Sequence, residues 1–101
     1  MDRVEKYMAI SKYLISYDLI KDKDYSKLIE AIKSIANGYS KPLKSVWIIG
    51  HSGSASDIVN ALSPYIDSDD KLLVTLVTKD TSWTVSLKEE TRAWLRKYVW
   101  L

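Results

Sequence analysis

Tyr39-Ser40-Lys41-Pro42-Leu43-Lys44-Ser45-Val46-Trp47-Ile48-Ile49-Gly50 is the stretch on which the fold turns. Its second half, from Ser45, is rich in β-branched and aromatic residues and reads as a strand. Its first half contains Pro42, which has no N–H to give to a ladder. That half therefore belongs to a sheet edge, a bulge or a hairpin arm. Cut as a hairpin, residues 39–50 give two strands; left whole, they give one.

The flanking segments decide what those strands join. Upstream, Lys12-Tyr13-Leu14-Ile15-Ser16-Tyr17-Asp18-Leu19-Ile20 is nearly continuous in apolar residues. It reads as a central strand ending near Asp18, where Lys21-Asp22-Lys23-Asp24 begins a charged loop. Tyr25, Leu28, Ile29, Ile32, Ile35 and Ala36 recur at helical spacing, which predicts a helix over 25–36. Asp24 caps its start and Asn37-Gly38 stops it. Downstream, Gly50-His51-Ser52-Gly53 turns the chain, and Ser54 with Asp57 forms an acidic capping box. Ala55, Ile58, Val59, Leu62 and Ile66 line one face of the helix that follows, which loosens at Pro64. Asp67-Ser68-Asp69-Asp70 is a turn, and Leu72 to Thr78 is a strand. Ser82-Trp83-Thr84-Val85 reads as a further short strand. Ser86-Leu87-Lys88-Glu89 reads as a capping box for a helix at 87–99, with Trp94, Leu95, Tyr98 and Val99 on one face.

With the hairpin, this order is an α+β, ferredoxin-like βαββαβ sandwich with an extra C-terminal strand and helix. With a single strand it would be three parallel strands in βαβαβ order. Pro42 favours the first. Residues 1–11 carry Met1, Val4, Tyr7 and Met8 at helical spacing and are expected to be a short helix or a disordered leader to a single domain at 12–101.

Composition narrows the function. A chain of 101 residues holds one domain, and 47% apolar content supplies a core for it. Its 28% charged content argues against intrinsic disorder. Cysteine is absent and there is one histidine, which excludes disulfide scaffolds, thiol nucleophiles and thiolate or multi-histidine metal cages. Fifteen basic against 13 acidic residues leave a net charge of +2, too small to demand a polyanionic partner. No apolar run approaches the ~20 residues that span a bilayer, so a cytoplasmic protein without a membrane partner is expected.

Several short motifs, taken in order, resemble a known group. Tyr13 to Leu19, with its Tyr17-Asp18 end, resembles the first strand of the small CRISPR-associated adaptation protein, the dimeric subunit of the spacer integrase. Ser45-Val46-Trp47 resembles that family's second strand. Virulence-associated protein D ribonucleases share the fold. Ser16 to Leu19, Asp24-Tyr25, Ser45 to Ile49 and Trp94-Leu95 are closer to stand-alone SinR-like small bacterial and phage proteins. The resemblance covers about residues 12–99 and implies a homodimer in which two copies of Asp18 face each other across the two-fold axis. A Mg²⁺ or Mn²⁺ ion held there would offset their repulsion and polarise a phosphodiester. It also implies a protein of phage or bacterial defence.

Each candidate residue carries a structural alternative. Asp18 is the catalytic and metal-ligand candidate, or else a strand-end acid accepting loop N–H groups. His51 is a general acid or base, or a polar turn residue; no nucleophile is identifiable beside it. Lys21, Lys23, Lys27, Lys41, Lys44, Arg92 and Arg96 are the nucleic-acid-binding candidates, or else solvated charges interspersed with acids. Trp47 belongs to the core or to a dimer interface, and Trp83 and Trp94 are interface candidates, because Trp is enriched where surfaces meet. The leading expectation is a DNA- or RNA-handling protein, with metal-dependent endonuclease activity if Asp18 is catalytic. The alternatives are a catalytically inert homodimer acting through contact with a defence-system protein, and a small-molecule or nucleotide sensor.

Overall fold

The computed structural model describes residues 10–19 and 25–100. Lys21, Lys23, the Asp24 cap and most of the expected leader lie outside those residues. The elements run β1 (Ser11–Asp18), α1 (Ser26–Ile35), β2 (Tyr39–Leu43), β3 (Val46–His51), α2 (Ala55–Leu62), a 3₁₀ turn (Ser63–Tyr65), β4 (Lys71–Val77) and α3 (Glu89–Tyr98). The four strands form one sheet in the order β2-β3-β1-β4. Every described pairing is antiparallel. The protein is α+β, and strand order and direction are compatible with a small ferredoxin-like fold.

The deciding stretch is a hairpin. Pairing shifts between Ser40 and Leu43: three steps along β2 match two along β3, from Ile48 to Val46. The extra residue lies at Lys41-Pro42, so the proline that cannot donate sits in a bulge on an edge strand. Gly50 lies at the opposite end of β3, where Asn37 N–H donates to Gly50 O (2.7 Å) and Gly50 N–H donates to Gly38 O (3.0 Å). A Cβ on Gly50 would run into the Asn37 carbonyl, so only glycine fits there. Gly38 has φ of 79°, the left-handed conformation a turn after a helix needs.

Both faces of the sheet are covered. Residues directly opposite in antiparallel strands share a face. Tyr13, Ile15 and Tyr17 therefore lie with Ile49, Trp47, Leu72 and Val74 on one side. There they pack with Leu28, Ala31 and Ile32 of α1 and Ile58 and Leu62 of α2. The buried indole N–H of Trp47 donates to Tyr17 Oη at 3.1 Å, so the ring brings no orphaned donor into the core. On the other side, Ile48 packs with Leu95 and Val99, flanked by Leu14, Val77, Trp83, Leu87 and Trp94. α3 thus closes part of the second face and lies against β2.

Two local expectations are corrected. Residues 82–85 form no strand, Val85 standing in a turn, and they pair with no strand among the described residues. Trp83 turns inward onto the second core and stacks on Trp100 with centroids 4.3 Å apart, while Trp100 Nε1–H donates to Thr81 O. Packing of one large ring outweighs ladder pairing of a four-residue segment. The Ser86 capping box does not form either. α3 starts at Glu89 with no side-chain cap, and the Ser86 hydroxyl lies 2.9 Å from that of Thr84. Glu89 and Glu90 in its first turn and Arg96 and Lys97 in its last complement the helix dipole instead. The Ser54–Asp57 box forms as expected, and the second helix gives way to the 3₁₀ turn around Pro64.

Leu95 is 2% exposed and is the main peg of α3 in the second core. Leu95→Ala is expected to cost about 2–5 kcal/mol in denaturant unfolding. A loss below about 0.5 kcal/mol, the range of ordinary surface substitutions, would mean that α3 is not docked on the sheet.

Candidate nucleic-acid interface

Asp18 is exposed at the end of β1 and stands opposite Lys71 in the β1–β4 register. It belongs to no group of three potential metal ligands among the described residues; the one such group is Asp67, Asp69 and Asp70. Their carboxylate oxygens lie within 4.8 Å of one another, and the group could hold a metal ion. Asp70 Oδ2 accepts from Asp67 N–H at 2.8 Å and Asp70 N–H donates to Asp67 O at 3.1 Å, so this is also a self-bonded turn. It leads into β4 at the end of the sheet where β1 finishes with Asp18. Sequence reading treated 67–70 as a turn alone, although three acids in four residues were visible.

His51 is held in a structural knot. Its Nδ1 accepts from Gly53 N–H at 2.9 Å, and Tyr13 Oη–H donates to Gly53 O at 2.8 Å. Asp57 Oδ2 accepts from Ser54 N–H at 2.9 Å while Ser54 Oγ accepts from Asp57 N–H at 3.1 Å. A Cβ on Gly53 would lie 2.7 Å from Asp57 Oδ2 and 3.0 Å from His51 Cε1, so a side chain there would push on the capping carboxylate. The arrangement starts α2.

The basic candidates divide into two sets. Arg92 Nη2 lies 2.9 Å from Glu89 Oε1, and Arg92 Nε–H donates to Leu87 O at 3.0 Å. Arg96 Nη2 lies 3.2 Å from Glu89 Oε2. Both arginines are thus engaged with one acid at the start of α3. Lys27, Lys41 and Lys44 are exposed. Lys41 Nζ lies 5.7 Å from the Trp47 ring centroid, and Lys33 Nζ lies 5.8 Å from that of Tyr39 and 5.9 Å from that of Trp47. The Tyr39 and Trp47 rings meet edge-on at 5.5 Å.

A cleft of about 380 Å³ runs along the β2 edge between that strand and α3, lined by Tyr39, Ser40, Lys41 and Pro42 on one side and Lys88, Glu90, Thr91 and Trp94 on the other. Two aromatic residues, two lysines, a serine, a threonine and one acid border it, and the Tyr39 ring and Lys41 ammonium also lie against Trp47, on the α1 side of the sheet. The bulge brings Lys41 to it, and docking of α3 brings Lys88 and Trp94.

 Lys88 is missed by reading charge runs alone, since it follows Leu87 and precedes two acids. Trp47 takes the core alternative: at 4% exposed, it has almost no surface left for a partner. Trp83 stacks on Trp100, and Trp94 lies 5.1 Å from Tyr98, centroid to centroid, while lining the cleft. No protein-family model, curated protein or solved structure matches this chain.

The Asp57 carboxyl is held below its ordinary value of 3.8, first by the Ser54 backbone N–H and then by the Ser54 hydroxyl, with a smaller pull from His51. A depressed carboxylate stabilises the fold above its unfolded value and loses that contribution as pH falls through the folded one. The thermal-stability difference between wild type and Asp57→Ala is therefore expected to hold at neutral pH and to shrink as pH falls below 3.8. A difference that stays constant through that range would remove the charged cap.

Proposed function

We propose that this chain binds single-stranded nucleic acid along the β2 edge. The observation that carries the reading is the cleft in which Tyr39 and Trp94 accompany Lys41 and Lys88. Aromatic rings accept any base by stacking, and lysines follow the phosphates. Ser40 and Thr91 add hydroxyls that can bond to phosphate or sugar. A single strand fits better than a duplex. The net charge is only +2, both arginines on α3 are paired with Glu89, and exposed rings are of use only to unstacked bases.

The endonuclease reading is the narrower form of this proposal. It requires Asp18 to hold Mg²⁺ or Mn²⁺ and draws support from its exposed place at the sheet end that also carries the Asp67, Asp69 and Asp70 group. The other reading, a catalytically inert homodimer contacting a defence-system protein, draws support from the exposed side chains of Leu73, Leu76 and Val85.

Fluorescence anisotropy with short single-stranded DNA and RNA, run against a salt series, tests binding. Affinity is expected to fall linearly on a log–log plot, and the double variant Lys41→Glu/Lys88→Glu should flatten that slope by about 1.4, at roughly 0.7 per phosphate contact. Tyr39→Ala should weaken binding by about 1–3 kcal/mol if a base stacks there. Binding that is absent, or unchanged in these variants, contradicts the proposal. The same reactions with Mg²⁺ or Mn²⁺, resolved on a gel beside Asp18→Asn, separate cleavage from binding: products lost in the variant support the endonuclease, and intact strands count against it.

A further inference from the structure

The two edges of the sheet are treated differently. β2 is five residues long, carries Pro42 and a bulge, and has α3 against it. These are the usual devices that keep an edge from pairing. β4 is two residues longer and carries no proline and no bulge, although α2 lies against it. It runs Lys71-Leu72-Leu73-Val74-Thr75-Leu76-Val77, pairs with β1 in unbroken register over all seven residues, and offers its other edge to no described strand. Leu73 and Leu76 are 59% and 54% exposed. We propose that β4 pairs with β4 of a second copy, antiparallel about a two-fold axis at Val74, to give a continuous eight-stranded sheet. The inference is independent of the nucleic-acid reading, which concerns the opposite edge.

The register follows from symmetry and charge. Partners in an antiparallel pair share a face, and successive residues alternate faces. A strand pairing with its own copy must therefore place one residue opposite itself. Centring on Leu73 sets Asp70 against the partner's Leu76 and Asp69 against the partner's Val77. Centring on Thr75 sets Lys71 against the partner's Lys79. Centring on Val74 pairs all seven strand residues. It lays Leu72 against the partner's Leu76 twice and Leu73 against the partner's Thr75 twice, covering the two exposed leucines. Where pairing continues past the strand, Asp69 meets the partner's Lys79. Of the three, only this register pairs all seven strand residues and sets Asp69 against the partner's Lys79.

This dimer differs from the one implied by the sequence resemblance. Asp18 lies opposite Lys71, three residues along from the axis and one strand further from it. At ordinary strand spacings the two copies of Asp18 stand roughly 25 Å apart and do not share a metal ion.

The chain has no cysteine, so single substitutions report the register cleanly. Sedimentation velocity over a concentration series is expected to show a monomer–dimer equilibrium, shifted to monomer by Leu76→Lys with its circular dichroism unchanged. Under mild oxidation Val74→Cys should crosslink efficiently, because self-paired positions lie about 5 Å apart. Leu73→Cys and Thr75→Cys, roughly 8 Å from their own copies in this register, should crosslink poorly, and Asp18→Cys should not crosslink. A wild-type protein that stays monomeric overturns the proposal. So does a dimer whose efficient crosslink is at residue 18, 73 or 75, or one that Leu76→Lys leaves intact. Should Val74→Cys fail to fold, sedimentation of Leu76→Lys decides alone.

Discussion

Four consecutive residues of β3, Trp47 to Gly50, are buried, and the rest of the structure answers to that fact. Side chains of a strand alternate between faces, so a strand buried at every position needs cover on both sides. α1 and α2 shield the Trp47 and Ile49 side. Ile48 on the other side would face water without Leu95 and Val99. α3 is therefore part of the fold, and its docking has a further structural consequence. It sets Lys88 and Trp94 beside the bulged edge strand and makes a cleft where a two-layer sandwich would have an open edge. The tail beyond α3 is fastened by the same logic, through Trp100 stacked on Trp83 and bonded to Thr81.

Polar groups are used sparingly, and mostly at element ends. Asn37, Gly38 and Gly50 tie the exit of α1 to the end of β3, while Tyr13, His51, Gly53, Ser54 and Asp57 tie β1 and β3 to the start of α2. The one histidine supports a turn. Its ring nitrogen accepts a backbone proton, which leaves the aromatic and cationic side chains of the β2 edge as the more promising functional groups. Charge is divided in the same economical way. Glu89 engages Arg92 and Arg96, whereas Lys41 and Lys88 line the cleft with a single acid, Glu90.

Much of the fold was legible in the sequence because its signals are local. Pro42 announced an irregular edge, the Ser54–Asp57 spacing announced a capped helix, and the apolar periodicity of 25–36 announced α1. What was not legible depends on contacts between distant residues. The pairing of Trp83 with Trp100 spans the whole of α3, and it draws 82–85 away from strand geometry. Trp47 reads equally as core or interface until Tyr17 is seen to take its N–H. At the candidate site, Lys41 could be singled out from sequence and Tyr39 lies on the same strand, but Lys88 and Trp94 join them only because α3 crosses to β2. The arginines looked available by their own spacing, and Glu89, three and seven residues earlier, is what occupies them.

The most direct test of the central claim uses the four tryptophans as separate reporters. Each indole N–H gives its own proton–nitrogen NMR signal, and the environments differ: Trp47 is bonded to Tyr17 and Trp100 to Thr81, while Trp94 lines the cleft. Titration with a short single-stranded oligonucleotide should move the Trp94 indole signal progressively and leave those of Trp47, Trp83 and Trp100 nearly in place. An oligonucleotide that leaves the Trp94 signal unmoved, or that perturbs only the Trp83 and Trp100 pair, would contradict a binding site at the β2 edge.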